Sequence, residues 1–485
     1  MHFARPFLSL TKISLALLIS SSSIAAEWDI SGGISAGANY SDNSKLSVSN
    51  EDSKVVGTLT PSIRLNGKGA RGKLNLRSST QFDTLGDKGN DFNPQLNFTA
   101  DTEVIKEFFY IDANASARQT TINSFEAFDN TSLNEQENIT TTYQYSVSPF
   151  ISSRLKDYAN YDLRYRHDQQ ANQGNELDDS KQNIATLRVQ SGKFFNVIGW
   201  SIFGSYAETD FEDQIGQIST SQESDNKFSS LRFDLAYRLN RKWFFTAGAG
   251  DESNDFISVD EDIDGKSWNT GIMWTPNSRT ELKLDYGERY FGENPSVSFK
   301  HRHKRSTIDI TYSKSITDSR NIRQSGNVLP DTDAFGQLAQ VIPLDILQLL
   351  FGSTTTRTNS TILNEQFDFN YSLQGKRTNV NLTASDSRQT IQETGDEDIY
   401  RRISVNASRK LVKNISLNAG YTFDHRERGS DGIQIDTDFY TLGLTRQLSN
   451  RCSLSLNYTY SDRSSDTAND DFNQNRLSLL ISIGF

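Results

Sequence analysis

The segment Arg476–Phe485, RLSLLISIGF, decides the fold class, because apolar and polar residues alternate along it. In an extended strand this alternation places five apolar residues on one face, namely Leu477, Leu479, Ile481, Ile483 and Phe485. The opposite face is polar except at Leu480. A period of two residues indicates a β-strand with one apolar and one polar side.

The same alternation predicts about 22 strands (20–22) along the chain. They lie near 28–40, 53–67, 70–83, 93–104, 105–118, 139–154, 158–168, 180–192, 196–210, 226–239, 241–253, 265–276, 279–290, 295–303, 304–317, 358–374, 376–390, 397–410, 412–427, 433–448, 451–463 and 470–485. Tight turns such as Asn240-Arg241 alternate with long polar loops such as 119–138, which is typical of transmembrane barrels. We therefore predict an all-β, up-and-down antiparallel barrel in the bacterial outer membrane, with both termini periplasmic.

The composition excludes several other classes of protein. The chain has 485 residues, a net charge of −11, 35% hydrophobic residues and one cysteine, Cys452. Beyond the N-terminal region no apolar run is long enough for a spanning helix, and a single cysteine rules out a disulfide scaffold. The negative charge argues against nucleic acid as a partner. An all-β soluble protein with buried aromatic residues is the alternative to the barrel.

Residues 1–26 have the features of a secretory signal peptide. Arg5 and Lys12 supply positive charge, Ile13–Ile19 forms a short apolar core, and small residues follow. Such a segment is removed from the mature protein and directs it out of the cytoplasm. We therefore predict a signal peptide at 1–26 and a barrel domain at 27–485.

The polar faces of the predicted strands carry charges of both signs, which we expect to face the barrel lumen. The candidates for the lumen wall are Asp162, Arg164, Arg166, Arg188, Arg232, Asp234, Arg238, Glu281, Lys283, Asp285, Asp309 and Asp368. They either pair across the lumen and stiffen the barrel or line a watery channel. We expect pairing for most of them.

Motifs for metal binding or catalysis are weak. Asp260, Asp262 and Asp264 resemble the start of a calcium loop, but the twelfth position, where a bidentate Glu is needed, is Gly271. An acidic, solvated loop is therefore favoured over a weak calcium site. Serine and histidine show no pairing pattern that would indicate a nucleophile and its base. We expect neither an enzyme nor a cofactor.

The segment 318–357 is an unusually long connection, and loops of this length are commonly functional. Its apolar residues recur near helical spacing, so we expect them on one side of a helix. They are Leu338, Val341, Ile342, Ile346, Leu349 and Leu350. Barrels of 22 strands are normally plugged, and Trp28 already lies in the first predicted strand, so we expect no N-terminal plug domain. These six residues are the candidates for a constriction of the lumen. A contact surface on the outer rim is the alternative.

Several motifs give the chain a resemblance to a known family. They are Val55–Leu65 (VVGTLTPSIRL), Tyr145–Ile151 (YSVSPFI), Trp274–Tyr286 (WTPNSRTELKLDY), Val341–Phe351 (VIPLDILQLLF) and Asp471–Phe485 (DFNQNRLSLLISIGF). In these motifs the chain resembles the outer-membrane β-barrels associated with PEP-CTERM/exosortase sorting and exopolysaccharide gene clusters. The resemblance implies an outer-membrane location and a polysaccharide or export/sorting system as partner. The motifs mark strands and turns rather than chemistry.

Pro61 and Pro149 fall inside two of these motifs and inside predicted strands. Proline cannot donate a hydrogen bond to a β-ladder. We therefore expect each proline to mark a bulge or a strand end.

The sequence as a whole favours a channel or envelope component for exopolysaccharide or other surface material, surrounded by outer-membrane lipid. Passage would be passive, through a polar lumen gated by the long loop. A non-conducting surface anchor or adhesin is one alternative, and a general solute porin is another.

Overall fold

In the computed structural model the described residues are 27–49, 51–83, 92–126, 138–174, 177–212, 225–325, 359–468 and 470–485. The strands are β1 (Glu27–Ser41), β2 (Lys54–Lys68), β3 (Gly72–Asp83), β4 (Phe92–Ile105), β5 (Phe109–Thr121), β6 (Ile139–Leu155), β7 (Ala159–Asn172), β8 (Asp179–Ser191), β9 (Ile198–Glu212), β10 (Asn226–Arg238), β11 (Trp243–Asp255), β12 (Gly265–Asn277), β13 (Thr280–Arg289), β14 (Gly292–Glu293), β15 (Ser296–Arg302), β16 (Ser306–Asp318), β17 (Thr361–Gln374), β18 (Thr378–Ile391), β19 (Glu397–Val412), β20 (Ile415–Glu427), β21 (Gln434–Ser449), β22 (Cys452–Ser465) and β23 (Phe472–Gly484). One short helix, α1 (Ser319–Ser325), follows β16. Within these ranges no helix has the length and apolar character needed to cross a bilayer.

The strands form a single antiparallel sheet that closes on itself, because β1 pairs with β2 on one side and with β23 on the other. β14 and β15 both pair with β13, so they act as one interrupted strand and the barrel has 22 strands in all. Closure leaves no row of unpaired backbone groups, which is the condition for a sheet in hydrocarbon. The predicted fold is confirmed.

The two ends of the barrel differ in their connections. Strands are joined by short turns such as 278–279 at one end, called here the short-turn end, and by longer loops such as 256–264 at the other, called here the long-loop end. Glu27 lies opposite Lys68 and Ile483 opposite Cys452, so the start of β1 and the end of β23 both reach the short-turn end.

The alternation of the C-terminal segment becomes an alternation of exposure in β23. Leu477, Leu479 and Ile483 are 44%, 49% and 46% exposed on the outside, whereas Ser478 and Ser482 are 5% and 6% exposed on the inside. Apolar side chains cover the outer face of most other strands in the same way. An apolar surface of this extent requires apolar surroundings.

Aromatic side chains on the outer face lie near both ends of the strands. Trp243 and Trp274 stack at the short-turn end, with ring centroids 5.7 Å apart. Toward the long-loop end, outward-facing tyrosines donate hydrogen bonds to carboxylates, as Tyr286 does to Glu293 at 3.0 Å. Aromatic girdles at both membrane interfaces are a property of transmembrane barrels.

The prediction for the two prolines is wrong in detail. The β2–β3 ladder skips the pairs at Thr60 and Pro61, and the β6–β7 ladder skips those at Ser148 and Pro149. The register is the same on both sides of each gap, and both strands continue. Each proline thus interrupts the ladder locally, because it has no N–H to donate to the neighbouring strand. The loss of this hydrogen bond requires neither an extra residue nor the end of the strand.

Candidate functional site

The strand registers place the charged residues predicted for the lumen on the inner, polar face of the sheet. Arg188 lies opposite Asp162 on β7 and Phe203 on β9, and Phe203 in turn lies opposite Arg232 on β10. Around the wall, Glu281, Lys300 and Asp309 follow one another across β13, β15 and β16. Residues opposite each other in adjacent strands share a face. The inner wall therefore carries charges of both signs.

Several of these charges pair with a near neighbour on the wall. Arg164 Nη1 lies 2.7 Å from Asp112 Oδ2 and 3.0 Å from Ser148 Oγ. Arg232 Nε lies 2.7 Å from Asp234 Oδ1. The partners belong to the same strand or to one close by, so these ion pairs run along the wall rather than across the lumen.

The remaining predicted wall residues have varied surroundings. Lys283 pairs with Glu281 at 3.0 Å. Asp285 accepts a hydrogen bond from Thr246 at 3.4 Å, and Asp368 accepts one from Gln366 at 2.9 Å. Arg166 pairs with Asp168 at 2.7 Å. The guanidinium groups of Arg188 and Arg238 lie over inner-facing aromatic rings, those of Phe203 and Phe244, at 5.5 and 5.1 Å.

A buried ion-pair cluster lies on the inner wall at the long-loop end. Asp424 accepts hydrogen bonds from Arg402 Nε at 2.8 Å and from Arg426 Nε at 2.7 Å. Asp424 and Arg426 are only 5% and 7% exposed. Arg426 also donates to the carbonyl of Ser124, which lies just beyond the end of β5.

The segment after β5 thus reaches strands that are not its neighbours. Arg463 on β22 donates to the carbonyl of Phe125 at 3.0 Å and to Asp470 at 3.2 Å. The Phe125 ring is 2% exposed and lies 5.8 Å from the Tyr400 ring, with Ile435 in the same apolar cluster. Hydrogen bonds and apolar packing together hold this segment against the wall formed by β19–β22.

A second contact between distant strands involves Asp318, the last residue of β16. Its carboxylate accepts hydrogen bonds from Thr209 at 2.7 Å, from Asn226 at 3.0 Å and from Gln182 at 3.2 Å. All four side chains are at most 4% exposed. These partners lie on β8, β9 and β10, so the end of β16 bridges across the long-loop end.

Arg320 follows in α1 and is 1% exposed. None of its three guanidinium nitrogens has a hydrogen-bond partner in the part of the chain that the structure describes. Burial lowers the pKa of Arg320, while the nearby carboxylates of Asp168 and Asp318 act in the opposite direction. Arg320 is therefore a buried cation whose charge is offset by the nearby carboxylates of Asp168 and Asp318.

A third contact joins the β11–β12 loop to the residue after β18. The backbone N–H of Val259 donates to the carbonyl of Gln392 at 2.8 Å. Together with the contacts of Ser124–Phe125 and of Asp318, it makes a set called here the mouth contacts. All three join parts of the long-loop end that are not adjacent around the barrel, so each spans part of its rim.

Comparison with known proteins agrees with this architecture. No protein-family model matches the chain. Outer membrane protein P1 of Haemophilus influenzae is 22% identical over 313 residues, which is 62% of this chain and 60% of that protein. The chain therefore spans less than two thirds of the length of this relative.

Solved structures match nearly the whole chain. The FrpB iron transporter of Neisseria meningitidis has a TM-score of 0.54 at 9% identity, over 94% of this chain and 83% of that one. The siderophore receptor PirA of Acinetobacter baumannii has a TM-score of 0.53 at 8% identity, over 96% and 81%. The chain is an outer-membrane β-barrel. At these identities the likeness of the barrel to the receptors concerns the fold alone.

The acidic loop of the barrel carries the three residues that resemble the start of a calcium loop, Asp260, Asp262 and Asp264. Asp264 accepts a hydrogen bond from the backbone of Asn254 at 2.5 Å. In the described ranges, a group of three carboxylates with ligand atoms within 4.8 Å of one another occurs elsewhere, on the outer face, at Glu208, Asp210 and Asp225. The carboxylates of Asp260, Asp262 and Asp264 form no such group.

The constriction candidates of the barrel, Leu338, Val341, Ile342, Ile346, Leu349 and Leu350, lie outside the described residues, as does the predicted signal peptide at 1–26. Of the 318–357 segment the structure describes its start, Asp318 followed by α1. The constriction therefore stays a prediction.

Sequence reasoning did not single out the charged residues at the mouth of the barrel, namely Arg402, Asp424, Arg426, Arg463 and Asp318. One signal was available, since opposite charges two residues apart on a strand share a face. Asp424 and Arg426 have this spacing, as do Arg232 and Asp234. The approach of Ser124, which lies 302 residues from Arg426, has no such local signature.

Proposed function

We propose that the barrel is a gated channel through which exopolysaccharide or other surface material passes the outer membrane. The observation that carries the proposal is a closed barrel whose inner wall is polar and charged, with its ion pairs running along the wall. Such a wall suits hydrated, hydroxyl-rich material, because water and polar solutes interact favourably with it. The proposal involves no catalytic step and no cofactor.

The mouth contacts supply the gate in this proposal. They narrow the long-loop end, which we assign to the cell exterior, with the short-turn end and both termini in the periplasm. The resemblance to barrels of exopolysaccharide and PEP-CTERM/exosortase systems supports the choice of cargo.

Planar-bilayer recording of the purified barrel tests the proposal. We expect discrete single-channel events that are reduced by added oligosaccharides from a candidate exopolysaccharide. Events insensitive to these oligosaccharides, but reduced by small unrelated sugars, would instead indicate a general solute porin.

A second candidate, a non-conducting surface anchor, is favoured by one specific observation. The mouth contacts bury a charged cluster and an apolar cluster at the same end of the barrel, as expected for a permanently closed rim. Absence of conductance, both in the native barrel and in a variant that lacks the Asp318 contact, would support the anchor and overturn the channel.

A further inference from the structure

An open cavity of about 670 Å³ lies at the short-turn end, where the β10–β11 and β12–β13 turns meet the ends of β15 and β16. Its lining is strongly basic, with contributions from Arg241, Lys242, Arg279, Lys300, His301 and Arg302. Two acidic residues, Glu281 and Asp309, complete the charged part of the lining. The cavity is within the usual size range of small-molecule sites.

The backbone of the turns fixes the position of this basic lining. The N–H of Thr275 donates to the carbonyl of Lys242, and the N–H of Arg302 donates to the carbonyl of Arg279, both at 2.8 Å. Asn277 Oδ1 accepts the N–H of Arg279 at 2.8 Å. The turns are therefore held by backbone groups and by the Asn277 side chain, and these contacts do not use the cationic side chains.

The cationic side chains are also not used in ion pairs. In the described part of the chain, none of Arg241, Lys242, Arg279, Lys300 and Arg302 has a carboxylate oxygen within 4.0 Å. All five are exposed. Of the two acids, Glu281 is already paired with Lys283, at 3.0 Å. Asp309 is thus the one lining carboxylate left to offset five cations.

We propose that this cavity binds a solute carrying several phosphate or carboxylate groups. Arginine matches the oxygen geometry of both groups and lysine adds point charge. Clustered charge of one sign in a concave site also concentrates counter-charged solutes. This proposal rests on the proposed function in one respect, because it takes the ligand to be a solute that enters the lumen. It adds that the material passing through the channel is anionic.

Isothermal titration calorimetry on the full-length barrel in detergent tests the site, with tripolyphosphate and an oligogalacturonate as probes and neutral maltohexaose as the uncharged reference. We expect both anionic probes to bind and the neutral sugar not to bind. The double variant Lys300→Gln/Arg302→Gln should weaken binding by about tenfold or more, because two charge-assisted contacts are lost. Affinity should also fall as salt is raised.

The matched control is Lys376→Gln/Arg377→Gln, which removes two exposed cations from the β17–β18 turn at the same end but outside the cavity. It should leave the affinity within about twofold, since distant exposed charges are screened. Equal losses in the two double variants, or equal binding of maltohexaose, would overturn the site.

The same titration in nanodiscs identifies the source of the anion. If anionic phospholipid displaces tripolyphosphate whereas zwitterionic lipid does not, the cavity holds lipid head groups and the solute assignment is wrong. Binding is measured here without transport. A barrel that binds the probes but never conducts therefore contradicts the channel and leaves the site standing.

Discussion

Opposite charges two residues apart on one strand recur as direct ion pairs in this barrel. Arg232 and Asp234 lie 2.7 Å apart, and so do Asp424 and Arg426. The two pairs share a sequence pattern but differ in surroundings, because the Arg232 side chain is 42% exposed and that of Arg426 only 9%. Exposed pairs contribute little to stability, whereas loss of one partner of a buried pair is costly.

We therefore expect Asp424→Asn to destabilise the barrel by about 3 kcal/mol, since it removes the carboxylate that the buried Arg426 shares with the partly exposed Arg402. The change in the free energy of unfolding is measured by denaturant titration, with the fraction of folded barrel read from its heat-dependent gel mobility.

The matched substitution Asp234→Asn should cost less than about 1 kcal/mol, because its arginine keeps access to water and to Asn269. Similar losses in both variants would contradict the role of burial.

At the scale of the element, the strands were readable from the sequence because alternation is a local property. The strand predicted near 226–239 is Asn226–Arg238, and the others agree to within a few residues. The interruption between β14 and β15 was not predicted. It falls at Asn294 and Pro295, and proline has no N–H to donate to the ladder.

Gly287 shows how closely two of these strands approach. A Cβ at this position would overlap the carbonyl of Trp268 and lie 2.7 Å from Asn269 Cβ on the paired strand β12. We expect Gly287→Ala to destabilise the barrel by about 1–3 kcal/mol, because backbone must move to admit the methyl group.

Gly204→Ala is the control, since its Cβ would meet no atom closer than 3.6 Å. Its gel-mobility transition should match that of the native barrel. A Gly287→Ala barrel with an unchanged transition would show that the strands can separate at little cost.

The mouth contacts are connections between elements, and no local pattern predicts them. Asp318 and Thr209 are 109 residues apart in sequence, and their hydrogen bond depends on the closed sheet that brings β16 and β9 together. Nothing in the sequence couples the two residues, because each alone is an ordinary polar residue near a strand end.

We expect Asp318→Ala to raise single-channel conductance or open probability, since it removes the acceptor of three buried hydrogen bonds across the mouth. Ser313→Ala, earlier on β16, should leave both quantities unchanged. If the two variants record alike while both remain folded by gel mobility, the Asp318 contact is not part of a gate.

At the scale of the whole molecule, class and closure followed from the sequence, while the shape of the lumen did not. Strand number, alternation and connection length together specify a closed barrel of 22 strands. The width of the lumen depends on where the loops fold. The alternation of apolar and polar residues in the strands does not encode the positions of the loops.

The long connection 318–357 leads to a prediction at this scale. Deleting Asp331–Gly352 should raise single-channel conductance in planar bilayers, because the predicted constriction residues are removed together. The shorter deletion of residues 127–137, in a different long loop, is the control for the loss of loop residues as such. Unchanged conductance after the first deletion would refute the constriction.

The pairing of β1 with β23 also orders events in time. β1 is synthesised long before its second partner, β23, so one edge of β1 has no partner until β23 has been made. The barrel can therefore close only after β23 has been synthesised. A nonsense mutation upstream of Phe472 would yield no partly useful barrel, only a substrate for proteolysis.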